Sequence, residues 1–547
     1  MINLEEFTVG IESELVTAKS LNYRPPSWPP PRDWPVVIDK NGVVVSRWGD
    51  PRWNLAPWAG KPKSLNFGDG DDRKGLRAGP LDAENADLMR MIATLLVWGP
   101  QAVRAVNSIY TKFYTIRTVV ALCSSNGINA ARLMHFPKVF EQVPGIIQPG
   151  NYEATITLLH GLYDARVLLG FTIVDPDGLR RLVAAAPHHE HVQTPYIPPR
   201  IWLYQVTRLR ECLMDFLEHQ EEIEACFQFC LNAYIKRFGS LEAALVSFKK
   251  GRLPFESKLS NEKDYPGKFI DVAMRFGIAD LLAKWVGACQ SRFDTRTFSH
   301  YFSVVTFAGL AYVCNFTLQR KEEVASLRTS CLLWDEDEKL GRVPIICGET
   351  SKTAADSDAR WVASPSVEVA IQALSAIAHL RMICDRANPA IQPTATDQRD
   401  PYLASTATEP WGRGLGRARP YNIRCVTHSV GELTNGGMLF EPERMKITAE
   451  DLAVARRLTP NLPEDEFAVG KVWPLAWHQY RRTGAVNMFA SADISDSTMQ
   501  QQMKHSTRLM TLYYGRNHGR LHLNKKVQTA VVMAMYQAQA EILKVVR

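Results

Sequence analysis

The feature that most constrains this 547-residue chain is a group of polar side chains set within a helical pattern near its C-terminus. His478 and Arg481 are three residues apart. His505 follows Arg481 by 24 residues, and Tyr514 follows His505 by nine. Arginine binds phosphate oxygens through a planar fork of donors, histidine exchanges protons near neutral pH, and a phenol can attack phosphorus. The group therefore favours phosphoryl transfer that needs no metal ion.

Two upstream segments add an arginine and a lysine. Arg320 is followed by Glu323 and then by Leu327, three and seven residues further on. Residues 343–353 have the pattern of a β-hairpin that carries Lys352. Lys339 is the alternative lysine, but it adjoins four acidic residues, where a surface ion pair is the natural interpretation.

The order of these motifs resembles that of the tyrosine recombinase (phage integrase) family, over about the last 250 residues of the chain. The resemblance implies that arginines and a histidine hold the scissile phosphate, that a lysine protonates the leaving oxygen, and that a tyrosine is the nucleophile. Tyr513 is the alternative nucleophile, and no cofactor or metal ion is implied. The implied site residues are Arg320, Lys352, His478, Arg481, His505 and Tyr514.

The same resemblance implies site-specific DNA recombination. Double-stranded DNA would be cut and rejoined through a 3′-phosphotyrosyl bond and a Holliday junction, without ATP, by a homotetramer on two DNA sites. Accessory proteins of the same mobile element are further candidate partners. Two alternatives stay open: a type IB topoisomerase-like nicking and closing enzyme, and a catalytically inactive DNA-binding regulator of a mobile element.

The basic residues are unevenly distributed. The net charge is +7, and the segment from Lys471 onward holds eleven Lys and Arg against three Asp and Glu. A basic face beside a phosphate site suits a DNA backbone, although a solvated charged surface has the same composition. The ten cysteines include no Cys-x-x-Cys pair, the N-terminus lacks a signal pattern, and no apolar run is expected to span a bilayer. We therefore expect a cytoplasmic, nucleoid-associated protein with no membrane partner.

The hydrophobic periodicity predicts a mainly α protein with a small β component. The family resemblance divides it into a helical core-binding domain and a mixed α/β catalytic domain, preceded by an irregular extension. The expected ranges are 1–80 for the Pro/Trp-rich extension with a β-hairpin, 81–290 for the enlarged helical DNA-binding domain, 291–525 for the catalytic domain with a basic loop insertion at 387–422, and 526–547 for a C-terminal helix.

Several segments keep two interpretations. Asn41-Gly42 predicts a tight turn with two positive φ angles, in an extension that is either an arm touching DNA or a neighbouring subunit, or a wrap over the helical domain. The 387–422 insertion is either a flexible basic loop or a surface linker. The C-terminal helix docks either on an adjacent protomer or on its own domain. The histidines at 188, 189 and 191 are expected in a polar loop and not in a metal site.

Overall fold

The computed structural model describes residues 4–68, 79–188, 193–247, 253–256, 265–287, 293–338, 341–350, 356–414, 416, 418–424, 430, 439–491 and 495–516. The protein is 54% helix and 9% strand, which confirms the mainly α class with a small β component. The chain forms two compact units, Met1–His191 and Val192–Arg547. This division differs from the boundaries near residues 80 and 290 that the sequence suggested.

The first unit contains two short antiparallel strand pairs and a helical layer. Its strands are β1 (Pro35–Ile38), β2 (Val44–Arg47), β3 (Arg52–Asn54) and β4 (Ser64–Asn66). Its helices are α1 (Ala56–Ala59), α2 (Ala83–Trp98), α3 (Val106–Ser125), α4 (Pro137–Phe140), α5 (Val143–Ile146), α6 (Tyr152–Asp164), α7 (Arg166–Leu169) and α8 (Pro176–Ala184), with 3₁₀ turns at Leu4–Glu6, Ala130–His135 and Pro149–Asn151.

The N-terminal extension shares one hydrophobic core with α2 and α3. The ring of Trp98 on α2 meets the ring of Trp34 at 4.9 Å and that of Trp53 at 6.2 Å, in edge-to-face geometry. Aromatic pairs of this kind stabilise beyond the area that they bury. Within the first unit the extension therefore covers the helices, and a boundary at residue 80 would divide this core.

The β1–β2 connection is looser than the predicted two-residue turn. Gly42 has a positive φ of 79°, whereas Asn41 does not have a positive φ. The Asp39 carboxylate accepts from the backbone N–H groups of Asn41 and Val43, at 2.8 and 3.0 Å. An aspartate that closes its own turn in this way needs only one left-handed residue, so the prediction of two positive φ angles was wrong.

The second unit is a helical assembly with one three-stranded sheet. Its helices are α9 (Pro199–Glu218), α10 (Gln220–Phe238), α11 (Leu241–Ser247), α12 (Phe269–Arg275), α13 (Ala279–Val286), α14 (Thr295–Thr317), α15 (Lys321–Ala325), α16 (Val367–Ala387), α17 (Ala395–Arg399), α18 (Pro442–Met445), α19 (Ala449–Leu458), α20 (Trp477–Ser491), α21 (Asp496–Gln502) and α22 (Arg508–Gly515). Its strands β5 (Leu332–Asp337), β6 (Gly341–Thr350) and β7 (Asp356–Val362) pair antiparallel in sequence order.

Helix α14 is the centre of the second unit. Asp294 caps its first turn by accepting from the backbone N–H of Thr297, and nearly all of its side chains are buried. Helices α9 and α16 pack along it, and Gly309 lets Leu374 of α16 approach closely. Because helices before and after residue 290 fill this single core, the compact units do not divide there.

The insertion at 387–422 includes a buried segment. Leu403, Thr408, Glu409 and Trp411 are buried, and the Trp411 ring contacts the Phe227 ring of α10 at 5.4 Å. Residues 403, 404 and 408–411 are therefore neither a flexible loop nor a surface linker, because they are buried in the core.

Two helices are long and apolar enough to cross a membrane by composition alone, so the expectation that no apolar run reaches that length was wrong. They are α14 and α16, with 83% and 56% of their apolar windows buried in the fold. Burial of this extent is typical of core helices in a compact unit.

Candidate active site

Arg320 lies where α14 ends and α15 begins. Leu318 adopts a left-handed φ of 58°, which stops α14 and turns the chain. Arg320 is 6% exposed, and its Nη1 donates to the Glu323 carboxylate at 2.8 Å. The same carboxylate accepts from the Arg320 backbone N–H and from the Thr350 hydroxyl at the end of β6. Glu323 thus orients the guanidinium through hydrogen bonds that satisfy both of its oxygens.

Arg481 projects from α20 into the same region and is 1% exposed. Its Nη1 donates to the Leu318 carbonyl, and its Nη2 donates to the Met503 carbonyl at 2.5 Å. Gly484, one turn along α20, permits this close approach, since a Cβ there would overlap the Leu318 side chain. The Arg481 Nε–H is buried and has no acceptor among the residues that the structure describes. An anionic oxygen would satisfy this donor.

His505 is fixed between Arg481 and Thr511. Its Nε2 lies 2.9 Å from Arg481 Nη2, and its Nδ1 lies 3.0 Å from the Thr511 hydroxyl. Because a guanidinium only donates, Nε2 is the acceptor and Nδ1 carries the proton. Burial, with the charges of Arg481 and then Arg320, lowers the pKa of His505 to about 3. The imidazole is therefore neutral near pH 7.

Burial also lowers the pKa of Arg481, to about 10. The nearby charge of Arg320 lowers it further, whereas Tyr514 and Glu323 raise it. Arg481 therefore keeps its charge near pH 7. A positive charge held out of water beside a second arginine is stabilised by an anion, and phosphate matches the arginine fork.

Tyr514 is placed next to this cationic pair. The Arg481 Cζ lies 5.3 Å from the centre of the Tyr514 ring, and the His505 and Tyr514 ring centres are 5.1 Å apart. Tyr513 is 47% exposed, and its ring meets that of Tyr514 edge to face at 6.1 Å. The structure therefore brings Tyr514, not Tyr513, against Arg481 and His505.

The remaining predicted residues are placed differently. His478 lies in the first turn of α20 with an exposed side chain, three residues before Arg481. Lys352 and its alternative Lys339 lie outside the described residues. The last residue of β6, Thr350, is bonded to Glu323, so the strand that leads to Lys352 ends at the Arg320 pair. The C-terminal helix predicted at 526–547 and residues 189–192 of the histidine-rich loop also lie outside the described part.

Sequence reasoning missed four side chains that shape this site. Thr350 and Thr511 anchor Glu323 and His505, and no sequence pattern marked either threonine. Lys504 precedes His505 in a left-handed conformation with φ of 50°, and its Nζ lies 5.3 Å from the centre of the Trp361 ring. Arg482 is buried beside Arg481. Its position directly after Arg481 in the sequence was the one signal that could have pointed to it.

Within the described ranges, no group of three or more His, Cys, Asp or Glu side chains is arranged to hold a metal ion. No family model matches the chain, and comparison with curated proteins finds no significant match. The functional argument therefore depends on the geometry of Arg320, Arg481, His505 and Tyr514.

Proposed function

We propose that the protein is a tyrosine-type site-specific DNA recombinase. One observation carries the proposal: two buried arginines, a buried histidine and a tyrosine converge from segments as far apart as residues 320 and 514. Glu323 compensates the charge of Arg320, whereas the buried charge of Arg481 has no ion-pair partner among the described residues and its Nε–H has no acceptor there. A phosphodiester beside a phenol fits both features.

The chemistry follows from the positions of these groups. Arg320 and Arg481 bind the non-bridging oxygens and stabilise the charge of a pentacoordinate phosphorus. Neutral His505 accepts from Arg481 and orients its fork. The Tyr514 oxygen attacks phosphorus, the bond from phosphorus to the 5′-oxygen breaks, and a 3′-phosphotyrosyl bond forms. The exposed His478 is the candidate acceptor of the phenol proton, and Lys352 is the candidate donor to the 5′-oxygen.

Religation reverses these steps. A 5′-hydroxyl from a partner duplex attacks the phosphotyrosyl bond, which conserves the phosphodiester energy and removes the need for ATP. Exchange of one strand pair and then the other passes through a Holliday junction, which calls for a homotetramer on two sites. Such an enzyme works on nucleoid DNA in the cytoplasm, with accessory proteins of the same mobile element as further partners.

The test is trapping of a covalent adduct on nicked duplexes. A library of mobile-element end sequences is incubated with the full-length protein in EDTA without ATP. Each duplex has a nick that lets the short fragment with the released 5′-hydroxyl diffuse away. We expect a denaturation-resistant protein–DNA adduct that Tyr514→Phe abolishes and Tyr513→Phe retains. A wild-type protein that binds these duplexes and forms no adduct would contradict the proposal and favour a DNA-binding regulator.

A further inference from the structure

The backbone carbonyl of Tyr513 accepts hydrogen bonds from two side chains that are distant in sequence. Arg482 Nη1 donates to it at 3.3 Å, and Gln193 Nε2 donates to it at 2.6 Å. Arg482 Nη2 also donates to the carbonyl of Arg516 at 2.6 Å. The last carbonyls of a helix lack partners within the helix, and a cation is favoured there. The Tyr513 carbonyl also accepts from the Arg516 backbone N–H at 3.3 Å, and Arg482 and Gln193 add side-chain donors at this end of α22.

The same end of α22 packs tightly on α20. Gly515 faces the Phe489 ring, and a Cβ at Gly515 would overlap that ring. Arg482 itself belongs to α20 and follows Arg481 directly. One turn of α20 therefore carries both the arginine beside the candidate phosphate site and the arginine that holds the tyrosine-bearing helix.

Gln193 belongs to a segment of the second unit that is well anchored on α20. The Tyr196 hydroxyl donates to the Asn487 side chain at 2.8 Å, and the Ile197 backbone N–H donates to the Thr483 hydroxyl at 3.0 Å. Tyr196, Ile197, Thr483 and Asn487 are all buried. Because this segment is fixed along α20, the side chain of Gln193 is held at the end of α22.

We propose that Arg482 and Gln193 are positioning residues that hold the Tyr513 carbonyl and so fix the approach of the Tyr514 hydroxyl to the scissile phosphate. The inference deepens the proposed recombinase function and depends on it. The hydrogen bonds of both side chains go to the backbone carbonyls of residues 513 and 516, and not to Arg320 or Arg481. Their role is therefore separable from phosphate activation by Arg320 and Arg481.

The separation defines the experiment. Single-turnover adduct formation on the nicked duplex measures attack by Tyr514. In a Tyr514→Phe background, hydrogen peroxide serves as a small nucleophile that needs the arginines but not the tyrosine helix.

We expect Gln193→Ala to slow adduct formation about threefold to tenfold, since one neutral hydrogen bond is lost. We expect Arg482→Gln to slow it about 100-fold, as misplacement of a reacting group does. Both substitutions should leave peroxide-supported cleavage unchanged.

Gln398→Ala is the matched control, because the exposed Gln398 on α17 also donates from its side chain to a backbone carbonyl, that of Pro393. It should change neither reaction. Equal losses in the tyrosine and peroxide reactions, or unchanged adduct formation by both variants, would overturn the positioning role. Should Arg482→Gln fail to fold by circular dichroism, Gln193→Ala at the half-buried position decides the outcome. A wild-type enzyme that forms no adduct would reject the proposed recombinase function itself, so the two failures are distinguishable.

Discussion

At the residue scale, the position of His505 in the motif suggests a phosphate-binding group, but its hydrogen bonds and protonation state differ from those of such a group. In this structure its Nε2 accepts from Arg481 and its pKa is lowered to about 3, so it is uncharged where an ordinary histidine would titrate. Its contribution in this geometry is to orient the guanidinium of Arg481. An acceptor at this position, and not a charge, is what the arrangement requires.

We expect His505→Gln to retain more cleavage activity than His505→Ala, because a glutamine oxygen can still accept from Arg481. Alanine leaves a buried donor unpaired, which costs about 1–3 kcal/mol, or about fivefold to 160-fold in rate. The rate of adduct formation from about pH 5 to pH 8 should have the same shape for wild type and His505→Gln. An ionisation present in wild type and absent from His505→Gln would contradict this role.

Lys504 carries its side chain at a backbone position that favours glycine. Its φ is 50°, and burial lowers the pKa of its ammonium, whereas Asp356 and Glu323 raise it. We expect Lys504→Gly to be more stable than Lys504→Ala by about 1 kcal/mol, since only glycine removes the left-handed strain. Both variants lose the ammonium beside Trp361, so the difference in stability between them reports the backbone strain alone.

Urea unfolding measures the free energy of unfolding of the two Lys504 variants. Equal stability of the two variants would contradict the strain argument.

At the scale of elements, a buried polar network joins α16 to residues 405–411. Arg381 and Glu409 form a buried ion pair at 3.4 Å, and the Thr408 hydroxyl donates to Asp385 at 2.5 Å. Burial raises the pKa of Asp385 to about 7, although Thr408 and Arg381 oppose the shift. The segment is thus held by a carboxyl group that is largely protonated in mildly acidic solution.

The sign of this shift defines a stability experiment. A carboxyl whose folded pKa is raised stabilises the fold fully below its unfolded pKa near 3.8, and this stability is lost as the pH rises through about 7. We expect the free energy of unfolding of wild type to fall, relative to Asp385→Asn, by on the order of 4 kcal/mol between pH 4 and pH 7. A difference that stays constant with pH in urea titrations would contradict the raised pKa.

At the scale of the whole molecule, the two compact units have separate hydrophobic cores. A fragment of residues 192–547 keeps α9–α14 together, whereas a fragment of 291–547 removes the helices that cover α14. We expect the longer fragment to unfold cooperatively and the shorter one to aggregate, because loss of the covering helices would expose an apolar face of α14 to water. Thermal circular dichroism and size-exclusion chromatography make the comparison. A cooperative monomer from 291–547 would contradict this core assignment.

The local patterns of the sequence account for much of the secondary structure. The sequence has an apolar run at 298–316 and an apolar periodicity after Pro365, and the structure has helices there at Thr295–Thr317 and Val367–Ala387. The β-hairpin pattern at 343–353 lies on β6 as far as Thr350, and residues 351–353 lie outside the described part of the chain. These features depend on neighbours in the chain, so periodicity and capping residues are sufficient to predict them.

The sequence by itself determined the order of the candidate site residues, the mainly α class and the likeness of the motifs to a known family. Only the tertiary structure decided that Arg320 and Arg481, 161 residues apart, share one buried site, and that Tyr514 lies against them while Tyr513 is exposed. It also decided that residues 403, 404 and 408–411 are buried and that the units divide after residue 191. These outcomes depend on packing between segments that are distant in the chain. Because hydrophobic burial is non-directional, a local sequence pattern does not specify which distant segments pack together.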